Sequence, residues 1–292
     1  MAARFSANGK RIGRPPKAQA TPTDQEVAVG RAVSAFLNRY DGAGKGRRMA
    51  SWNAPSSGPN RAINGGLQTL RDRSSDSVRN DWSGESIVQK WTTALVGIAI
   101  TPRFHLIADK ARRKEVNTLW ADFVRDADAD CVLDLYGMQT LAVRSWLERG
   151  EMFARRRYRQ RSDGLAAPVQ VQLLESDMIP NFDTDQFAGL PVRNRIRSGI
   201  EFDGRGRRVA YWVYKDHPGD DAVGVGLTPA AGTLVRVPAE DMLHMYEPKR
   251  IGQRRGVPTL SPVLAKLRNI ADYEDTTLER QKIANLFVAF IS

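Results

Sequence analysis

The chain has 292 residues, 41% of them hydrophobic, enough to bury a sizeable core and to hold two domains. Its 44 basic residues outnumber 33 acidic ones, and the net charge of +11 favours an anionic partner, nucleic acid or an acidic membrane surface. A single cysteine, Cys131, excludes an internal disulfide, and no apolar run approaches the ~20 residues of a membrane-spanning helix.

The basicity is local: residues 1–20 carry +5, 155–161 another +5 and 249–255 +4, leaving −3 for the remainder. Residues 1–22, rich in Gly, Pro, Ala and basic side chains, read as a disordered arm, and the lack of a following apolar stretch argues against a secretory signal. Thr23-Asp24-Gln25-Glu26 reads as a capping box for a helix carrying Val29, Val33, Phe36, Leu37 and Tyr40 and stopping at Gly42. Residues 41–66 read as a loop. Leu67 to Asn80 is the next expected helix. Ser83 is the expected cap of another, with Ile87, Trp91 and Leu95 at i, i+4, i+8 and Gly97 as its stop. Ile98, Ile100, Pro102, Phe104 and Leu106 alternate as a half-buried strand would, with Pro102 implying an edge position. Val116, Leu119, Trp120, Phe123 and Val124 mark a further helix, and Met138, Leu141, Ala142 and Trp146 one more, followed by the arginine run in an extended conformation.

The middle of the chain changes character. Val169 to Leu174, Gly199 to Phe202, Arg208 to Lys215, Leu234 to Val237 and Met242 to Tyr246 are short β-branched or aromatic runs, with Asp203-Gly204 as a hairpin turn. Residues 216–232 form a Gly/Asp/Pro loop. The fold class is therefore α+β, with strands grouped rather than alternating with helices. It divides into an arm (1–22), a helical region (23–160), a β-rich insert (161–250) and a last helix (251–292). That helix runs from Pro262 to about Asn285, roughly 36 Å, with Ser261 as N-cap and Pro262 at its first position. Val263, Leu264, Leu267, Ile270 and Ala271 form its apolar face; Asp272, Asp275 and Glu279 form an acidic stripe. The apolar end, Phe287 to Ile291, reads either as a truncation or as a terminal strand docking into the core.

No catalytic, cofactor or metal set emerges. His105, His217 and His244 lie far apart and make no HExxH spacing. Cys131 sits among Asp126, Asp128, Asp130 and Asp134, a setting that raises a thiol pKa, the wrong direction for a nucleophile. The phosphate-loop look of Gly42 to Gly46 fails, because residue 39 is Arg where a Gly belongs and Gly46 stands where Ser or Thr would bind Mg²⁺. The basic segments are the candidates. Lys10 to Lys17 resembles an AT-hook, whose Arg11, Arg14 and Lys17 would lie along an A·T-rich minor groove, although Ile12 replaces the usual Arg before Gly13; otherwise it is a solvated basic tail. Arg155 and Arg157 share one face of an extended run, as a phosphate-binding strand, a subunit contact or a charged edge strand. Lys249, Arg250, Arg254 and Arg255 fall within seven residues with no carboxylate among them and are candidate DNA or subunit contacts. The acidic stripe is either a solvated face or a channel wall that repels phosphate.

Several ordered segments carry a resemblance. They are Leu70-Arg71-Asp72-Arg73 with Val78-Arg79-Asn80-Asp81; Gly97; Trp120 and Asp122; Gly150-Glu151 and Phe153; and Gln172, Leu174-Glu175 and Asp177-Met178-Ile179. Gly199-Ile200-Glu201, Gly204-Arg205, Val209-Ala210-Tyr211-Trp212, Val237-Pro238-Ala239, Asp241, His244, and Arg250, Gly252-Gln253 and Arg255-Gly256-Val257-Pro258 follow. In order and spacing they resemble the lambda family of phage portal proteins. The resemblance implies a portal fold with a helical wing and stem, a clip-like β-rich insert and a stem-like last helix left incomplete, because family members continue well beyond this length. It implies a non-enzymatic dodecameric ring at a capsid vertex, made in the bacterial host cytoplasm and located in the virion. Its implied partners are further copies of the chain, double-stranded DNA, the terminase large subunit, and capsid and head-tail connector proteins, with no membrane and no cofactor. The alternative is a monomeric DNA-binding protein that uses the 10–17 arm.

Overall fold

The structure is a computed structural model that describes residues 51, 54–187, 189–220 and 232–290, with backbone alone for the last four. The described elements all belong to the unit Ser57–Ser292. The arm, the helix expected over 23–42 and the Gly42 to Gly46 segment lie outside the described residues.

The described architecture is mixed α+β, with six α-helices and two antiparallel sheets. A short helix α1 (Pro59–Asn64) leads into α2 (Leu67–Asn80), which has the bounds its sequence predicts. Helix α3 (Trp82–Val96) is capped by Asp81, not Ser83: Asp81 Oδ1 accepts from the Ser83 backbone N at 2.9 Å and the Ser83 hydroxyl at 2.8 Å. Its buried side is Gly84, Val88, Thr92 and Val96, so Trp91 and Leu95 remain 54% and 46% exposed. Gly84 selects that side, because a Cβ there would stand 2.6 Å from the Ser77 carbonyl oxygen of α2.

The alternating stretch from Ile98 to Leu106 is not a strand. Ile98, Ile100 and Leu106 face solvent, and the backbone of Ile100 is held by the Gln139 side chain at 2.8 and 2.9 Å. Alternation supplies a face, but a strand also needs a neighbouring ladder, and none reaches this segment among the described residues. Helices α4 (Lys110–Asp126) and α5 (Leu135–Arg149) follow, capped by Asp109 and Asp134.

Strand β1 (Glu151–Tyr158) leaves α5 directly and lies between β2 (Val169–Leu174) and β7 (Met242–Tyr246). The arginine run is therefore in a central strand rather than at an edge, although beyond Arg155 only β2 accompanies it. The second sheet has the order β3 (Arg195–Arg197), β4 (Ile200–Phe202), β5 (Arg208–Tyr214), β6 (Leu234–Pro238). Asp203 closes the β4–β5 hairpin by accepting from the backbone of Arg205 and Arg207 at 2.9 and 2.8 Å. Residues 210–213 of β5 are all buried because both faces are covered. Tyr211 and Val213 pack with Phe153, Ile200, Val237 and Met242, while Trp212 packs with Phe182, Ile196 and Leu234.

Helix α6 (Leu264–Phe290) starts two residues later than expected. Ser261 and Pro262 lie in the preceding turns, and the buried Ser261 hydroxyl has no hydrogen-bond partner among the described residues, so it caps none of their backbone groups. Leu260, Leu264 and Leu267 join Val78, Val88 and Leu147 in a helical core. Beyond it most described side chains are exposed, including Tyr273, Leu278, Ile283 and Leu286. The apolar end continues as helix to Phe290, in place of a docking strand.

Candidate nucleic-acid interface

The basic loop is anchored from within. Glu151, the first residue of β1, is fully buried. Its Oε1 accepts from Arg71 of α2 and from Arg255 at 2.6 Å. Its Oε2 accepts from the Gly256 backbone N at 2.7 Å and from His244 Nε2 at 2.9 Å. Arg255 spends its other donors on the carbonyl oxygens of Ile179, Ser198 and Ser176 at 3.0, 2.9 and 3.0 Å. Arg71 also reaches the Arg149 carbonyl at 3.3 Å, and Arg149 pairs with Asp177 and with the Ser75 hydroxyl at 2.8 Å. Arg208 Nη1 lies 3.2 Å from His244 Nδ1. A guanidinium can only donate, so Nδ1 accepts and Nε2 carries the proton that faces Glu151.

Burial opposes the charge on Glu151, but Arg255, Arg71 and the His244 hydrogen bond outweigh it and hold the carboxyl well below its usual range. Burial lowers Arg71 to about 10 against the pull of Glu151, which leaves it protonated at neutral pH. Burial also dominates at His244 and lowers its pKa, consistent with the neutral ring.

Two glycines allow this approach. Gly150 has φ +88°, and a Cβ on it would meet the Val257 carbonyl carbon at 2.2 Å; a Cβ on Gly256 would meet the Gly150 oxygen at 2.0 Å. The residues that carry the resemblance, Arg71, Gly150-Glu151, Asp177, His244 and Arg255-Gly256, thus meet at one junction of the helical layer and the sheets. Their chemistry is structural.

This junction divides the four loop bases. Arg255 is 1% exposed and faces inward, so the expected strip of four is reduced to three; its carboxylate partner was invisible in the loop because it lies 104 residues away. Lys249 and Arg250 are exposed, and Arg250 Nη1 donates to the Ser57 carbonyl at 3.1 Å. Gln253 shapes the loop by accepting from the Lys249 backbone at 2.9 Å and donating to the Arg255 carbonyl at 2.8 Å. Half-buried Arg254 places its guanidinium 5.6 Å from the centre of the Phe202 ring.

Arg155 and Arg157 lie on the Phe153 side of β1, as strand alternation requires; burial and then Arg157 lower the Arg155 pKa. Arg156, on the opposite face, pairs with Asp241 at 3.0 Å. Asp272, Asp275 and Glu279 are exposed on α6, with Arg268 3.3 Å from Asp272. Arg11, Arg14 and Lys17 lie outside the described residues. Among the described residues no helix is long and apolar enough to cross a membrane.

The family model described as "Phage portal protein, lambda family" matches residues 45–292. Portal protein B of Escherichia phage lambda is 24% identical over 273 residues, and the portal protein of Escherichia phage N15 is 20% identical over 264; each match covers 86% of this chain and 48% of the relative. A probable portal protein of Halomonas phage phiHAP-1 is 31% identical over 108 residues, 37% of this chain and 20% of that protein. The chain spans about half the length of the lambda and N15 proteins, at 48%. With the family model matching across 45–292, the chain belongs to the lambda family of phage portal proteins.

Proposed function

We propose that the chain is the subunit of a dodecameric portal ring at one vertex of a phage or prophage capsid, through which double-stranded DNA is packaged and ejected. The ring docks the terminase large subunit on packaging and the head-tail connector on completion, and it contacts capsid protein around its rim. The reading is carried by the family match over residues 45–292. In it, α1 to α5 and β1 belong to wing and stem, β2 to β7 to a clip-like region, and α6 to the stem. The exposed bases Lys249 and Arg250, with Arg155 and Arg157, meet DNA phosphates or a neighbouring subunit without reading sequence, so binding weakens as salt rises. The acidic stripe Asp272, Asp275 and Glu279 lines the channel and limits sticking of the passing DNA. No step requires covalent chemistry.

Negative-stain imaging and native mass measurement of a version extended to the length of the relatives test this reading. Closed rings of about twelve copies are expected. Monomers alone across a wide range of concentration and salt would refute it.

A further inference from the structure

A recess of about 280 Å³ opens where the β3–β4–β5 edge meets the basic loop. Strand register sets its floor: Arg195 of β3 and Arg208 of β5 both lie opposite Phe202 of β4. Arg197, two residues from Arg195, also lines it, and Arg254 closes it over the Phe202 ring. Three separate stretches of chain thus bring four guanidinium groups around one opening.

Their counter-charges are few. Arg197 pairs with Asp185 at 2.6 Å, and Asp183 acts on Arg254 while its own carboxylate accepts from the Ser198 backbone at 2.6 Å. Arg208 is bound by neutral groups, the Tyr246 hydroxyl at 2.7 Å and His244 Nδ1. The guanidinium groups of Arg195 and Arg254 make no hydrogen bond or ion pair with the described residues. At Arg254, burial, opposed by Asp183, is joined by repulsion from Arg197, Arg195 and Arg208 in lowering the pKa. Arg197, Arg208 and Arg254 are partly buried, and cations so placed are costly unless an anion completes them, while Arg195 stands exposed at the rim; planar arginine forks match the oxygens of a phosphoryl group.

We propose that this recess is a phosphate-binding pocket, with Arg195 and Arg254 as its principal donors and Arg197 and Arg208 closing it around one phosphoryl oxyanion. The occupant is a backbone phosphodiester of double-stranded DNA. The phosphate chemistry stands on the recess alone, whereas the choice of DNA rests on the portal reading above. Arg254 belongs to the basic loop and Arg195 and Arg197 to an alternation with Arg193 that has a strand period, but Arg208 lies apart from both, so the sequence does not show that the four converge.

The first arm of the test is thermal unfolding of the chain in inorganic phosphate against chloride at matched ionic strength. A saturable rise in Tm is expected. It should shrink in Arg195→Gln, an exposed position, and vanish in Arg195→Gln/Arg254→Gln, while Arg112→Gln/Lys114→Gln, which removes two exposed bases of α4, retains it. The second arm is anisotropy of a labelled DNA duplex against salt, where the Arg195→Gln/Arg254→Gln slope of log K against log salt should be shallower by about 1, the share of the one phosphate the pocket holds. No saturable shift in the unmodified chain, or an equal shift in the double variant, overturns the pocket. A phosphate response with an unchanged DNA slope overturns DNA as its source and leaves ring formation to be judged by imaging. A double variant that alters particle mass, in a chain that does not respond to phosphate, makes the recess a subunit contact and overturns the proposal.

Discussion

Replacing Glu151 by Gln probes the junction with almost no change in volume. The carboxylate takes two guanidinium donors on Oε1, and the Gly256 N–H and His244 on Oε2. Whichever way the amide of Gln points, its NH₂ faces two donors, and Arg71 and Arg255, 1% exposed each, lose their shared counter-ion. Removing one member of a buried ionic set costs about 3–5 kcal/mol, a large fraction of the ~5–15 kcal/mol that stabilises a native protein. For a domain of this size Tm should fall by roughly 6–20 °C, at about 2–4 °C per kcal/mol. Urea unfolding followed by circular dichroism gives the free-energy change directly. Arg71→Met, which leaves Glu151 its Arg255 partner, should cost less than Glu151→Gln. A loss below about 1 kcal/mol in Glu151→Gln, or the reverse order of the two variants, would refute the junction as an energetic anchor.

Acid should weaken the fold in two stages. Burial keeps His244 below its ordinary 6.5, so the unfolded chain takes the proton first and stability falls as pH drops below that value; the depressed Glu151 adds a second loss as pH falls below about 4.5. A urea midpoint that stays flat from pH 8 to pH 5 would contradict the neutral histidine. Gly256→Ala drives a Cβ into the Gly150 carbonyl at 2.0 Å and should cost about 3 kcal/mol or more, read as a lowered Tm or loss of soluble protein; a normal Tm would show that the two backbones can separate freely. Asp81→Ala removes the α3 cap and should cost about 1 kcal/mol in urea unfolding, whereas Ser83→Ala, which keeps the Asp81 bond to the backbone, should cost less.

The sequence disclosed what local patterns control. Helix α2 was legible at both ends, and β2, β5, β6 and β7 were legible from β-branched and aromatic runs. Errors arose where distant groups decide. Trp91 and Leu95 have helical spacing, but the contact of Gly84 with Ser77 turns the adjacent stripe of Val88, Thr92 and Val96 inward. The alternation from Ile98 to Leu106 lacks a ladder to join. Strand β3 is short and basic, so hydrophobic pattern passes over it. The loop arginines read as one strip because the glutamate that withdraws Arg255 belongs to β1. The same separation hid the recess, whose four arginines come from three stretches of chain.

The span of the Glu151 contacts bears on how the protein is made. Arg71 precedes Glu151 by 80 residues and Arg255 follows it by 104. During translation the α5–β1 corner leaves the ribosome with one cation in reach and must wait for the basic loop before its carboxylate is fully ligated. Long-range closures of this kind slow folding and leave intermediates with exposed apolar surface. A nascent chain halted before Arg255 therefore carries α1 to α5 and β1 to β7 but lacks α6 and the clasp that joins the helices to the sheets, and it is at that stage that chaperone capture should be greatest.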